Sequence, residues 1–391
     1  MGLRITILCV LLASPAVGEG ATARARDLGI PFDGVPGTHD AITDVSGVQV
    51  GFTTVIQGGP AGTEPIVRTG VTVILPRGKT SAEYRAAWFS LNGDGELTGI
   101  PYVEDYGRNW GPIGITNTNS VGLVRDAIGA WNLRRFGTGD WGDFSFGLPI
   151  VGETWDGALN DIQGLHVTAE HVWQALDGAA GGPVLEGNVG GGTGMMLYGF
   201  KGGSGTASRM VEIGDTVYTV GVLVQANFGG RSELTVAGVP VGREITDLRP
   251  EIHGSPRRDG SAIVVLVTDA PLLPYQLRLV AKRISHGLAR TGTYSHHGSG
   301  EIFLAVSTAD TGAGDGPVET WPALTKRNLD PIFKATVEAT EEAIVNTLVA
   351  AETLEGRNGN VVYAIPHDRL RDILRRYGRL EEPEPAAVAA Q

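Results

Sequence analysis

The sequence predicts a layered α+β fold, with helices outside packed sheets. Three observations carry that expectation. First, short apolar runs recur along the chain, such as Val71 to Leu75, Val217 to Gln225, Ala262 to Val267 and Glu301 to Val306. They are rich in β-branched residues and bounded by turn residues, which is how buried strands read. Second, other segments repeat their apolar residues every three or four positions, the spacing of a helix face. Third, strands and helices mix without regular βαβ alternation, which favours separate layers of each.

The chain has 391 residues, 42% of them hydrophobic, enough to bury a sizeable core as one large domain or two. It contains 58 glycines, about twice the usual share. They show no collagen-like period and cluster at turns, as in Gly190-Gly191-Gly192. Tight turns and close backbone approaches are expected there. The net charge of −12 argues against nucleic acid as a partner, because such binding needs clustered Lys and Arg.

Near the N-terminus, Arg4 precedes an apolar run from Ile5 to Ala13, and Ala16-Val17-Gly18 follows. This reads as a secretory signal over residues 1–18, too short to span a membrane. An amphipathic first helix is the other reading. No other segment is long and apolar enough to cross a membrane. The single cysteine, Cys9, falls inside that signal. The remaining chain then has no disulfide, no thiol nucleophile and no thiolate zinc site. A periplasmic or secreted location is expected.

Further along, Val71 to Leu75 ends at Pro76, and Asn92-Gly93-Asp94-Gly95 is a strong turn signal. A helix is expected after Asn119, with Val121, Val124 and Ile128 on one face. Leu148 to Val151 reads as a buried strand, and residues from about 158 to 177 as a helix. Asn188 to Gly205 is loop or close backbone packing. Residues 247 to 260 are polar, contain two prolines and read as a loop or linker. The strand after Gly260 leads to a helix carrying Leu273, Leu277, Val280, Ile284 and Leu288, with Gly292 as its cap. Asp330 and Pro331 read as the N-cap and first residue of a last long helix. Its stripe is Phe333, Val337, Ile344 and Leu348, and Gly356 ends it. Glu381 to Gln391 reads as a frayed acidic tail.

Four constellations could carry chemistry, and each also has an ordinary reading. Asp259-Gly260-Ser261 stands where a polar loop meets a buried strand, the usual place for a turn. Ser299-Gly300-Glu301 opens another buried strand, so Ser299 and Glu301 share a face. A carboxylate at that edge is either solvated or held by partners. Asn227 ends a strand in Val224-Gln225-Ala226-Asn227-Phe228-Gly229. It can donate to a developing oxyanion, or it can simply tolerate a left-handed turn. In Gly152-Glu153-Thr154-Trp155-Asp156, an acid beside an aromatic can recognise a cationic amine, or it can cap the following helix. His296 and His297 are adjacent and would face opposite ways in a strand, a poor arrangement for one metal. Surface or structural roles suit them better. The glycine runs near 190 and 202 lack the Lys and Ser/Thr of a phosphate loop.

Taken together, Asn92-Gly93-Asp94-Gly95-Glu96-Leu97-Thr98-Gly99, Gly114 to Thr118, Glu153 to Gly157, Val224 to Gly229, Gly260-Ser261, Thr268 to Leu272 and Ser299-Gly300-Glu301 resemble the self-processing serine aminopeptidases of the DmpA/β-aminopeptidase family. The resemblance runs from about residue 26 to 378. It implies an αββα four-layer sandwich, similar to N-terminal-nucleophile hydrolases but differently connected. It also implies an inactive precursor that cuts itself between Gly260 and Ser261. One domain would then consist of an α chain (19–260) and a β chain (261–391), assembled as a homo-oligomer of such pairs.

By the same resemblance, Ser261 is the nucleophile, Ser299 and Glu301 complete a Ser-Ser-Glu constellation, and Asn227 holds the oxyanion. Glu153 grips the free ammonium of a small peptide, amide or ester. Trp155 stands where the family often has tyrosine and is expected only as a pocket residue, since an indole N–H donates but cannot accept. No cofactor or metal is implied. β-Amino acid peptides, D-alanine amides or esters, and ordinary L-peptides are the candidate substrates. The alternatives are an acyltransferase on the same fold, which would use threonine as nucleophile, and a non-catalytic periplasmic binding protein.

Overall fold

The computed structural model describes residues 23–59, 62–254, 260–310 and 317–381. The expected export signal with Cys9, the residue Asp259, and the tail beyond Glu381 lie outside the described residues. Among the described residues, no helix is long and apolar enough to cross a membrane.

Ten strands build two sheets. β1 (Gln49–Gln57), β2 (Val67–Leu75), β5 (Ile113–Asn117) and β6 (Ile150–Thr154) form a four-stranded sheet in the order β1-β2-β5-β6. The other strands are β3 (Glu83–Ser90), β4 (Arg108–Trp110), β9 (Gly203–Ile213), β10 (Thr216–Asn227), β11 (Ser261–Thr268) and β12 (Gly300–Ser307). They form a six-stranded sheet in the order β4-β3-β12-β11-β10-β9. A small hairpin, β7 (Met196–Leu197) and β8 (Phe200–Lys201), precedes β9. The pairs β5/β6 and β11/β12 are parallel and the rest antiparallel.

The apolar pattern of β11 shows how the layers stack. Ala262, Val264 and Leu266 point into a core shared with the helices α5 (Pro274–Arg290), α6 (Asp330–Ala350) and α7 (His367–Arg376). Ile263, Val265 and Val267 point into a second core, against Val50, Ile74, Ile113 and Ile150 of the other sheet. A period of two thus buries both faces of one strand. That is why its sequence reads as an unbroken apolar run. The far face of the four-stranded sheet is covered by α2 (Val121–Phe136) and α3 (Ala169–Gly178). The result is a four-layer αββα sandwich. Truncating Ile263 or Val265 to alanine at such a junction costs about 2–5 kcal/mol for the larger side chain.

Several local expectations need correction. The helix expected from about 158 begins only at Ala169, because Gly164 and Leu165 interrupt it and Leu165 adopts a left-handed φ of 53°. Asn160, inside the expected helix, instead bonds the Arg68 N–H and the Asp156 carboxylate. The last long helix starts one residue earlier than predicted, so Asp330 is its first residue and Leu329 its N-cap. It ends at Ala350, and Gly356 lies beyond it. Nor is it a simple stripe. Ala335, Ala339, Ala343 and Thr340 are buried along with Ile344 and Leu348, while Phe333 and Val337 are only half-buried. Small side chains let α6 sit close on the six-stranded sheet and α5 at once. Thr291, rather than Gly292, caps α5.

Candidate active site

The register of the large sheet gathers residues that are distant in sequence. Ser261 is the first residue of β11 and sits opposite Asn227, the last residue of β10, and beside Gly300 of β12. The inner ends of three central strands therefore meet at one point. The turn Asn92 to Glu96 folds over this point, and Gly300 makes that possible. A side chain at 300 would come within 2.2 Å of the Asp94 carbonyl.

Ser261 is almost fully buried, at 3% exposure. Its Oγ accepts from the Trp155 backbone N–H at 3.3 Å and from Asn227 Nδ2 at 3.5 Å. Asn227 itself is held in one orientation. Its Oδ1 accepts the Met196 N–H at 2.9 Å, and its Nδ2 also donates to the Trp155 carbonyl at 3.0 Å. Asn227 is extended, as the last strand residue. The left-handed turn falls two residues later, at Gly229, with φ 82°. The turn reading of Asn227 is thereby excluded.

Glu301 is fully enclosed. Ser299 Oγ donates to its Oε1 at 2.6 Å, and Asn92 Nδ2 donates to its Oε2 at 3.0 Å. Ser299 Oγ lies beside Gly260, 3.0 Å from where a side chain at 260 would begin. Burial pushes the Glu301 carboxyl above the ordinary range, while these two bonds and the nearby His296 pull the other way. The solvated reading of this glutamate does not hold.

Glu153 is the fourth of the five residues of β6 rather than a helix cap, and is 4% exposed. The Thr118 hydroxyl donates to its Oε2, and the Glu96 N–H donates to its Oε1 at 3.1 Å. Burial raises its pKa above the usual value, with Glu96 and Asp94 adding like-charge repulsion. Glu153, Thr118, Asp94 and Glu96 line a cavity of about 240 Å³ that opens onto Ser261, Gly260 and Trp155. A second cleft, of about 390 Å³, adjoins it through Trp155 and Gly260.

The structure thus brings Ser261, Asn227 and Trp155 together, sets the Ser299–Glu301 pair beside Gly260, and places Glu153 in the cavity that reaches Ser261. The two adjacent histidines diverge. His296 Nε2 meets Glu233 at 2.9 Å, and His297 is exposed. Sequence reasoning missed Asn92 and Thr118 as the partners of the two glutamates, although both lie in motifs it singled out. It also missed the Trp155 backbone N–H, which no side-chain signature announces. A serine at a strand start with two N–H donors, next to a cavity walled by carboxylates, fits a serine hydrolase with an acidic pocket beside that serine.

The comparisons with known proteins narrow that class. The model of peptidase family S58 matches residues 40–362. The β-peptidyl aminopeptidase BapA of Sphingosinicella microcystinivorans is 50% identical over 95% of this chain and 96% of its own. That of Sphingosinicella xenopeptidilytica is 47% identical over 95% of each. Among solved structures, the L-aminopeptidase D-Ala-esterase/amidase of Ochrobactrum anthropi, described as a prototype of the serine aminopeptidases and a variant of the Ntn hydrolase fold, superposes with a TM-score of 0.84 at 47% identity. It covers 91% of this chain and 99% of that one. A β-aminopeptidase from Burkholderia sp. superposes with a TM-score of 0.81 at 44% identity, over 91% of this chain and 99% of its own. The chain belongs to peptidase family S58, and it is a serine aminopeptidase.

Proposed function

We propose that this aminopeptidase is exported, cuts itself between Gly260 and Ser261, and removes N-terminal β-amino acid residues from short peptides through an acyl-enzyme on Ser261. The observation that carries the reading is the pairing, on one cavity, of the buried Ser261 hydroxyl with its two N–H donors and of the buried Glu153 carboxylate. The β-residue preference rests on the two β-peptidyl aminopeptidase relatives.

The self-cleavage step has local support. The Gly260 carbonyl accepts the Gly300 N–H at 3.0 Å, which polarises it. A side chain at 260 would crowd the Asn227 carbonyl, Phe228 Cα and Ser299 Oγ, all at 3.0 Å. Ser261 Oγ attacks the Gly260 carbonyl carbon, the amide nitrogen leaves as the Ser261 α-amine, and water hydrolyses the resulting ester. The freed amine, with an unperturbed pKa of roughly 7.7–8.0, then serves as general base near its working pH.

In turnover, that amine takes the Ser261 proton as Oγ attacks the substrate carbonyl. Asn227 Nδ2 and the Trp155 N–H receive the oxyanion. The proton passes to the departing nitrogen, and water releases the acyl group. Ser299 and Glu301 orient the nucleophile and its amine. Glu153 binds the substrate ammonium, which restricts the enzyme to chain ends. The αβ pairs assemble as homo-oligomers.

The test compares β-alanyl, D-alanyl and L-alanyl amides as substrates of the purified enzyme. The reading expects the highest kcat/KM for the β-alanyl amide and only background turnover by Ser261→Ala. A clear preference for either α-amino acid amide contradicts the substrate assignment, and an active Ser261→Ala enzyme contradicts the nucleophile.

A further inference from the structure

We infer that the second cleft is the subsite for the departing residue, and that it selects an aromatic side chain immediately after the scissile bond. The inference rests on the reading that Glu153 holds the substrate amine.

The two cavities beside Ser261 differ in chemistry. The one containing Glu153 is walled by Asp94, Glu96, Glu153 and Thr118, and Trp155 is its one large apolar side chain. With the amine held there and the scissile carbonyl at Ser261, the rest of the substrate must leave by another way. The adjoining cleft shares Trp155 and Gly260 with the first, and it is larger, at about 390 Å³ against about 240 Å³. It is lined by Trp155, Met196 and His296, by the polar Asn227 and Ser299, and by the Phe228 segment with four glycines.

Trp155 and His296 bring rings and Met196 a thioether to this cleft, the groups that recognise an aromatic ring. Ring faces and edges attract one another beyond simple area burial, and a thioether adds a favourable sulfur–aromatic contact. The outer wall is built to stay in place. His296 Nε2 bonds both carboxylate oxygens of Glu233, at 2.9 and 3.1 Å. The same carboxylate accepts the Gly230 N–H at 3.1 Å, which fixes the neighbouring stretch of the cleft. The Tyr294 ring lies 4.4 Å from that of His296, tilted by 34°, and is 72% exposed, so the aromatic surface continues outward from the cleft. His296 is therefore the specificity-determining residue of this wall.

The experiment measures kcat/KM for a set of β-alanyl dipeptides that differ only in the second residue, with propionyl analogues lacking the amine as a control. Phenylalanine or tryptophan in the second position is expected to exceed glycine by about 10-fold or more, the usual worth of apolar complementarity in a pocket. His296→Ala, and independently Met196→Ala, should bring that ratio down toward one. Equal rates for glycine and phenylalanine in the wild type would overturn the inference, as would variants that slow both substrates by one factor and keep the ratio. If the variants instead erase discrimination among N-terminal residues, the cleft serves the acyl side and the inference is equally overturned. If the propionyl analogues turn over as well as the β-alanyl substrates, the failure lies with the Glu153 reading, which the amine control detects separately.

Discussion

Two buried glutamates stand near Ser261, and they are held in different ways. Glu301 is enclosed by the side chains of Ser299 and Asn92 and lines neither cavity. Glu153 is held by the Thr118 hydroxyl and the Glu96 N–H, and it lines the cavity beside Ser261. Burial raises the pKa of both. The contrast teaches that one carboxylate has its partners inside the protein while the other lines a cavity, and the proposed function gives them correspondingly different roles. Charge alone does not separate them; their partners and exposure to the cavity do.

Removing the charge of each tests the contrast. Glu301→Gln should reduce kcat by about 10²-fold, the cost of misplacing the nucleophile and its amine, with little change in KM. A large rise in KM with kcat preserved would place Glu301 on the ligand side. Glu153→Gln should act the other way. It removes a charge-assisted bond worth about 1.5–3 kcal/mol, so kcat/KM for amine-bearing substrates should fall by about 10- to 100-fold. Substrates without an amine should be spared, and equal losses on both would mean that Glu153 merely supports the fold.

The raised pKa of Glu153 gives the contrast a pH signature. Only the ionised carboxylate pairs with an ammonium, and it protonates earlier on acidification than an ordinary glutamate, near 4.3. The advantage of amine-bearing over amine-free substrates should therefore decline as pH falls, starting above that ordinary range. Taking the ratio cancels any contribution from Glu301. A ratio that stays flat in the wild type down to pH 4.5 would contradict the assignment.

Asp156 offers the smallest effect and a third kind of buried carboxylate, one that lines neither cavity. It is fully buried, bonded by Asn160, and burial pushes it from 3.8 up to about 7. Its charged form opposes folding. That cost is absent below pH 3.8, grows as pH rises, and is complete above about 7. Asp156→Asn should thus raise Tm by about 2 °C or more at pH 8.5, and by less at pH 5. The reverse order would mean that Asp156 gains a favourable partner when ionised.

Much of this was legible in the sequence because burial on two faces leaves an unmistakable run. Ala262 to Val267 and Val217 to Gln225 announce central strands without any pairing information. The αββα arrangement came from motif resemblance, since periodicity cannot say which sheet a strand joins. The gathering of Asn92, Glu153, Asn227 and Ser261 depends on pairings between strands far apart in the chain, which no local pattern encodes. The helix expected from residue 158 failed for a related reason. Asn160 and Leu165 take their conformations from tertiary bonds and a left-handed turn, against the local apolar spacing. The Trp155 N–H is invisible in a sequence because every residue but proline has one.

The central claim is that Ser261 becomes the chain's reactive N-terminus. Intact-mass measurement of the purified protein under denaturing conditions, with N-terminal sequencing of the smaller species, tests it most directly. Two chains are predicted, the smaller beginning Ser-Ala-Ile-Val-Val. A single uncut chain that still hydrolyses aminoacyl amides would contradict the claim.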